Sequence, residues 1–247
     1  MKVNSFIEEI FKNKEVKHSQ EAPRDYLGAS LVGHPCERYI WYSTHIREIP
    51  FESGRLLRLF ETGHQQEYRV ALELKELGLE VKLEVDNPYI VKMLEDNGIQ
   101  SGLPFSIPEM HFKYSLANGT HIGGSCDILS KGWEDFPDEW VNTEIKTFSE
   151  TRFKSFLKEG IRKSNPQYYA QAQFYMGFLH LKHTVLIGIN KNTDDMWYDV
   201  IDFNEDEFNS LKLKAEYILS LDKEPHANKC KECKFCPYAS TCATADL

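Results

Sequence analysis

Two segments that alternate like buried strands each carry charge near the middle, and that combination restricts the fold more than any other feature of the chain. In Gly123-Gly124-Ser125-Cys126-Asp127-Ile128-Leu129 successive side chains take opposite faces, so Cys126 and Ile128 share one face and Asp127 takes the other. In Val141-Asn142-Thr143-Glu144-Ile145-Lys146, Glu144 and Lys146 share a face, and Val141, Thr143 and Ile145 share the opposite one. Burying a carboxylate is unfavourable, and burying several together is worse unless a cation neutralises them. Two arrangements meet that demand. One is a cross-strand salt bridge at an exposed sheet edge, which contributes little. In the other, Asp127 and Glu144 hold a divalent ion such as Mg2+, which prefers oxygen ligands and keeps several waters. Lys146 then stands beside the ion, placed to orient or deprotonate a water and to stabilise developing charge.

The rest of the chain supplies a frame for these strands. Residues 4–12 read as a short helix, 13–24 as a polar loop, and the Gly33-His34-Pro35 turn leads into a helix beginning near Cys36. A long helix is expected over 55–77, with an inward stripe of Leu56, Phe60, Gly63, Glu67, Val70, Leu74 and Leu77. Residues 80–85 alternate as a strand, and 87–108 read as irregular, broken by Pro88, Pro104 and Pro108. Residues 110–116 and 121–129 form a hairpin about Asn118-Gly119. A strand over 140–147 follows the acidic turn 134–139, and Pro166 opens a helix to about His180. Strands over 184–190 and 196–201 and a helix over 205–221 precede the tail. These elements predict the α/β class, a central mixed sheet flanked by helices.

Two helices add polar groups to apolar faces. Glu67 sits in the stripe of the long helix, either as part of the charged centre or as a boundary residue paired with His64. In the later helix Tyr168, Gln171, Phe174, Tyr175 and Phe178 share a face, so Gln171 and Tyr175 bring polar tips to what is otherwise an aromatic core stripe. The order Gly63-x3-Glu67, Gly124-x2-Asp127, Glu144-x-Lys146 and Gln171-x3-Tyr175 resembles the RecB-like branch of the PD-(D/E)xK nuclease superfamily, over most of the chain from Leu27 to Cys242. The resemblance implies a restriction-endonuclease-like core in which Glu67, Asp127 and Glu144 bind metal with the main-chain carbonyl of Ile145. It makes Lys146 catalytic and has Gln171 and Tyr175 position Lys146 and the DNA backbone. The sequence departs from the pattern at the helical ligand, where His64 and Glu67 both stand in reach of the role.

The tail Cys230-x2-Cys233-x2-Cys236-x5-Cys242 sets four thiols within thirteen residues, a density that points to metal ligation. Thiolates suit zinc and iron-sulfur clusters alike. The CRISPR-associated, phage and helicase-linked iron-sulfur exonucleases carry one cysteine far upstream and a Cys-x2-Cys-x5-Cys group near the C-terminus. By that resemblance Cys36, Cys233, Cys236 and Cys242 hold a 4Fe-4S cluster, and residues 27–45 and 226–244 form one cluster lobe on a single nuclease domain spanning 1–247. Cys230 is the other choice for the fourth ligand, and zinc the other metal. Cys126 reads as a small buried apolar residue.

Composition narrows the partners. A formal charge of -9 argues against indiscriminate coating of nucleic acid, which relies on Lys and Arg. A local basic stretch over 151–163 carries Arg152, Lys154, Lys158, Arg162 and Lys163 against Glu159 alone, and reads as a backbone path or as a solvated helix face. No apolar run reaches the length of about 18 residues needed to span a bilayer, and the charged start does not read as a signal peptide, so a cytoplasmic protein without a membrane partner is expected. No phosphate-binding Gly-x4-Gly-Lys-Ser/Thr loop is present, so any helicase motor would be a partner. The expectation is a Mg2+- or Mn2+-dependent exonuclease on single-stranded DNA or duplex ends, in phage DNA metabolism, recombination or CRISPR adaptation, with an oligomer possible. The rival is a non-catalytic nucleic-acid-binding or scaffolding module with a zinc-stabilised tail.

Overall fold

The computed structural model describes residues 5–46, 51–226, 233–234 and 236–242. Its backbone is a six-stranded mixed sheet with helices on both faces, joined to a small three-stranded sheet. The large sheet contains β2 (Glu80–Glu84), β3 (Gln100–Gly102), β6 (Ile128–Trp133), β7 (Phe136–Phe148), β8 (His183–Asn190) and β9 (Met196–Asp202), in the order β3-β2-β6-β7-β8-β9. Pairing is parallel for β2 with β3 and for β7 with β8, and antiparallel elsewhere. The small sheet has β1 (Leu27–Gly28), β5 (His121–Ser125) and β4 (His111–Ser115) in that order.

Each face of the large sheet is covered by a helix whose apolar residues match the strands beneath. On one face Val70, Ala71 and Leu74 of α3 (Gly54–Glu76) pack on Val81, Leu83, Val141, Ile145 and Val185. On the other, Ala172 and Met176 of α7 (Pro166–Leu179) pack on Phe148 and Leu186, while Ala170, Phe174 and Tyr175 join a second cluster with Ile122, Cys126 and Leu129. Helix α5 (Glu150–Glu159) adds Phe153 and Phe156 to the first of these, and α8 (Glu205–Ser220) adds Ala215, Ile218 and Leu219 to the second. The α7 face is therefore divided between two apolar clusters.

Several local expectations are corrected. Helix α1 (Phe6–Ser19) runs through much of the stretch read as a polar loop. Pro88 does not break structure but opens a helix, α4 (Pro88–Asp96), because Pro at the first helical position lacks only a donor that has no intrahelical partner anyway; the Asn87 side chain accepts from Tyr89 N–H at 3.0 Å. Phe60 and Leu77, expected inward on α3, are 51% and 78% exposed. The strand expected over 121–129 is two strands: β5 ends at Ser125, and the chain crosses at Cys126-Asp127 into the large sheet. As a result Cys126 and Ile128 are buried in different clusters rather than on a shared face.

Candidate active site

The crossing between the two sheets puts Asp127 just before the first residue of β6. Ile128 is paired with Thr143 in antiparallel register, so Asp127 and Glu144 are the next residues outward on neighbouring strands. Lys146 is two residues further along β7 on the same face. That face is the one under α7, and the charged row lies where the two apolar clusters part. Glu144 is 1% exposed, whereas the Asp127 and Lys146 side chains retain 20% and 18% of their surface, so the row opens to solvent at the Asp127 and Lys146 side. The salt bridge at an exposed sheet edge is excluded for these residues: β7 lies inside the sheet, between β6 and β8.

Charge in the row is unbalanced in favour of the carboxylates. The Lys146 ammonium pairs with Glu144 Oε1 and stands 3.7 Å from Asp127 Oδ2, which also accepts the Ile145 N–H at 3.1 Å. Burial pushes the Asp127 carboxyl well above the usual carboxylate range and Glu144 adds to it, while Lys146 and the Ile145 N–H oppose the shift and Glu67 reinforces it. Burial alone would lower the Lys146 pKa, but Glu144 and Asp127 outweigh it and leave the amine firmly protonated. Lys146 thus acts here as a fixed positive charge. Glu144 Oε2 is buried and has no hydrogen-bond partner among the described residues. An unpartnered buried carboxylate oxygen is unfavourable by several kcal/mol at order of magnitude.

Helix α7 supplies the remaining polar contacts. Pro166 sets its start and His180, in the left-handed conformation, ends it. One turn apart on the buried face, the Gln171 amide donates to Glu144 Oε1 at 2.9 Å and to the Tyr175 hydroxyl at 3.1 Å. Gln171 therefore holds Glu144 directly, and Lys146 only through it. Gly124 makes room for Tyr175, since a Cβ there would lie 2.7 Å from Tyr175 Cε1 and 2.9 Å from Ala29 Cβ. Tyr168, three residues before Gln171, places its ring 5.2 Å from the Lys146 ammonium, a contact for which the aromatic stripe gave no specific signal.

Glu67 and His64 both approach this row from α3. Glu67 accepts from His64 at 3.3 Å, and that bond is the main reason the His64 pKa is raised, with Asp127 among the smaller contributions. Glu67 also bears electrostatically on Asp127, while its direct partner is His64. Gly63 meets nothing within 4 Å, and no close contact explains the glycine. In the basic stretch, Phe153, Phe156 and Ile161 are buried, Lys154 pairs with Glu150, and Arg162 pairs with Glu207 and lies over the Tyr169 ring.

A second gathering lies between α2 (Glu37–His45) and the tail. Cys36 caps α2, and Tyr39, Trp41 and Tyr42 of that helix pack with Cys236, Tyr238 and Cys242. Arg38 donates to Pro225 O at 2.8 Å and approaches Cys242 Sγ at 3.7 Å, and Trp41 Nε1 donates to Leu221 O at 3.0 Å. Burial raises the Cys236 thiol pKa, the Tyr238 main chain opposes the shift, and Cys36, Cys233 and Cys242 add to it, so Cys236 lies within electrostatic reach of the other three. Cys230 lies outside the described residues. Cys126 is buried as expected, beside the charged row. Among the described residues no group of three or more His, Cys, Asp or Glu is arranged to hold a metal ion, and no helix is long and apolar enough to cross a membrane.

No family model and no curated protein matches the chain. Among solved structures the chain is similar to SSO0001 at 17% identity, with 97% of this chain and 96% of that one covered and a TM-score of 0.57, which shows a shared fold. LHK-Exo in complex with dAMP gives 14% identity, 86% and 91% coverage and a TM-score of 0.49. A second structure of LHK-Exo, an alkaline exonuclease from Laribacter hongkongensis, gives 12%, 85%, 91% and 0.38. Only the first of these likenesses is close enough to bear on the fold.

Proposed function

We propose that the chain is a divalent-metal-dependent deoxyribonuclease that hydrolyses phosphodiester bonds at the ends of single strands or duplexes, with Asp127, Glu144 and Lys146 as its centre. The observation that carries this reading is the free, buried Glu144 Oε2 beside an Asp127 that is strained as an anion. Two or three carboxylates against one ammonium form an electrostatically incomplete set, and oxygen donors of this kind fit Mg2+ or Mn2+. Asp127 and Glu144 would hold the ion, with Glu67 and the main-chain carbonyl of Ile145 as further ligands. When bound, such an ion supplies an activated water and stabilises charge on a phosphate.

The chain's own residues do the rest. Lys146, kept protonated, offers a fixed ammonium to the non-bridging and leaving oxygens, where negative charge grows during hydrolysis. Gln171 fixes the Glu144 carboxylate through Oε1 and leaves Oε2 free, and Tyr175 fixes Gln171 in turn. Apolar clusters on either side of the row limit water access and so strengthen each charge interaction.

Cys36, Cys233, Cys236 and Cys242 are proposed to hold a 4Fe-4S cluster that is structural, tying α2 to the tail. The packing of Cys236 and Cys242 against the helix that Cys36 precedes supports this reading, and four cysteine ligands are the set that such a cluster takes. Recombination, phage DNA metabolism or CRISPR adaptation is the proposed setting, with a helicase or similar motor as a separate partner. The test is the product pattern from end-labelled single- and double-stranded DNA with Mn2+. Mononucleotides released progressively from an end support an exonuclease, and intact substrate at every metal concentration overturns the enzyme reading.

A further inference from the structure

One aromatic side chain near the charged row is held out in solvent by a backbone conformation that folding alone would avoid. Phe105 has φ 68°, in the left-handed region where a residue with a Cβ is strained, and its side chain is 78% exposed. Neither feature aids stability: glycine would sit there freely, and a polar residue would leave less apolar surface in water.

The loop that carries Phe105 is anchored to the strand beside Asp127. Leu83 of β2 is paired with Ile128, so Glu84 and Asp127 are the next residues on adjacent strands. Glu84, only 6% exposed, accepts the Phe105 N–H at 3.1 Å and the Ile107 N–H at 2.7 Å, and pairs with His111. The His111 ring in turn lies behind the Phe105 ring, centroids 4.8 Å apart and planes tilted by 30°. A buried carboxylate, two main-chain donors and an imidazole thus hold one exposed ring on a loop anchored to the strand that runs beside Asp127.

We infer that Phe105, backed by His111, is a stacking platform for one unpaired nucleobase of the strand whose backbone enters the Asp127–Glu144 centre. This inference rests on the nuclease reading of that centre. An aromatic face suits any base and needs no hydrogen-bond code, so the platform would engage single strands or frayed ends without sequence preference. A base still paired in a duplex has both faces covered by its neighbours and would have to unstack first.

Binding of labelled oligonucleotides in EDTA, followed by fluorescence anisotropy, tests the platform without cleavage. The probes are a short oligothymidylate and an abasic deoxyribose-phosphate oligomer of equal length. Phe105→Ala is expected to weaken oligothymidylate binding by about 5- to 100-fold while leaving the abasic oligomer unchanged, and Phe105→Trp is expected to keep wild-type affinity for both. Phe105→Gly, which takes the left-handed backbone freely, serves as the folded control and should lose affinity like the alanine variant. Equal binding of oligothymidylate by wild type and Phe105→Ala, an equal loss on both probes, or no base-dependent binding by the wild type overturns the inference. Parallel cleavage with Mn2+ separates it from the reading beneath it. A wild type that needs Phe105 to bind bases yet never cleaves DNA sinks the nuclease and keeps the platform, and cleavage with Phe105-independent binding does the reverse.

Discussion

Glu144 is more deeply buried than any other ionisable side chain in the row and has one oxygen engaged by Lys146 and Gln171 and one engaged by nothing described. Together with Asp127 it makes a set that is stable as folded protein only at some expense. The pH dependence of Asp127 has a definite sign. Its pKa in the fold lies above the unfolded value, so its contribution to stability is full at low pH and is lost as pH rises through the raised pKa. At neutral pH in EDTA, Asp127→Asn is therefore expected to raise the unfolding midpoint while abolishing cleavage, and a lower midpoint would contradict the strained-anion account. Bound Mn2+ should relieve the same strain. At about 100 times its dissociation constant it adds roughly 2.7 kcal/mol, which for a chain of this size moves the midpoint up by about 5–10 °C in the wild type. Gln171→Ala removes the neutral donor that fixes Glu144, and is expected to lower stability by about 1–3 kcal/mol and activity by about 10- to 100-fold. An unchanged rate in that variant would remove Gln171 from the machinery.

At the scale of elements, the strands of the centre and α7 were largely legible, because their signals are local. Pro166 marks the start of α7, and spacing by four puts Gln171 and Tyr175 on one face. Alternation along β7 gave the shared face of Glu144 and Lys146. Alternation also misled, since a period of two continues smoothly through Cys126-Asp127 although the chain changes sheets there, and only tertiary pairing reveals the break. Proline's usual disruptive effect points to a break at Pro88, but its position one residue after the capping Asn87 permits a helix start. The α3 stripe predicted Phe60 and Leu77 inside because periodicity gives a helix's apolar side but not how much of its length the sheet covers. Gly124 shows how closely two elements must approach. Gly124→Ala would drive a Cβ against Tyr175 of α7, and overpacking of this kind destabilises by about 1–3 kcal/mol. Activity should fall with it, as Tyr175 and Gln171 are displaced together. Wild-type midpoint and rate would show that α7 can shift without disturbing Glu144.

For the whole molecule, the packing of α2 on the tail brings residues near the two ends of the sequence together, through Arg38 to Pro225 and Trp41 to Leu221. The proposed cluster would link Cys36 to the tail cysteines, closing a loop of about two hundred residues and restraining the unfolded chain accordingly. If the centre there is iron and sulfur, anaerobically purified protein is brown with broad visible absorbance, and Cys36→Ala loses the colour, the iron and thermal stability together. A colourless protein carrying stoichiometric zinc would contradict the cluster. The most direct measurement is the rate at which full-length wild type, Asp127→Ala and Lys146→Ala degrade labelled single-stranded DNA with Mn2+, each shown folded by circular dichroism. The account predicts cleavage by the wild type that EDTA abolishes and a loss of at least about 100-fold in both variants, whereas equal rates in all three proteins would contradict it.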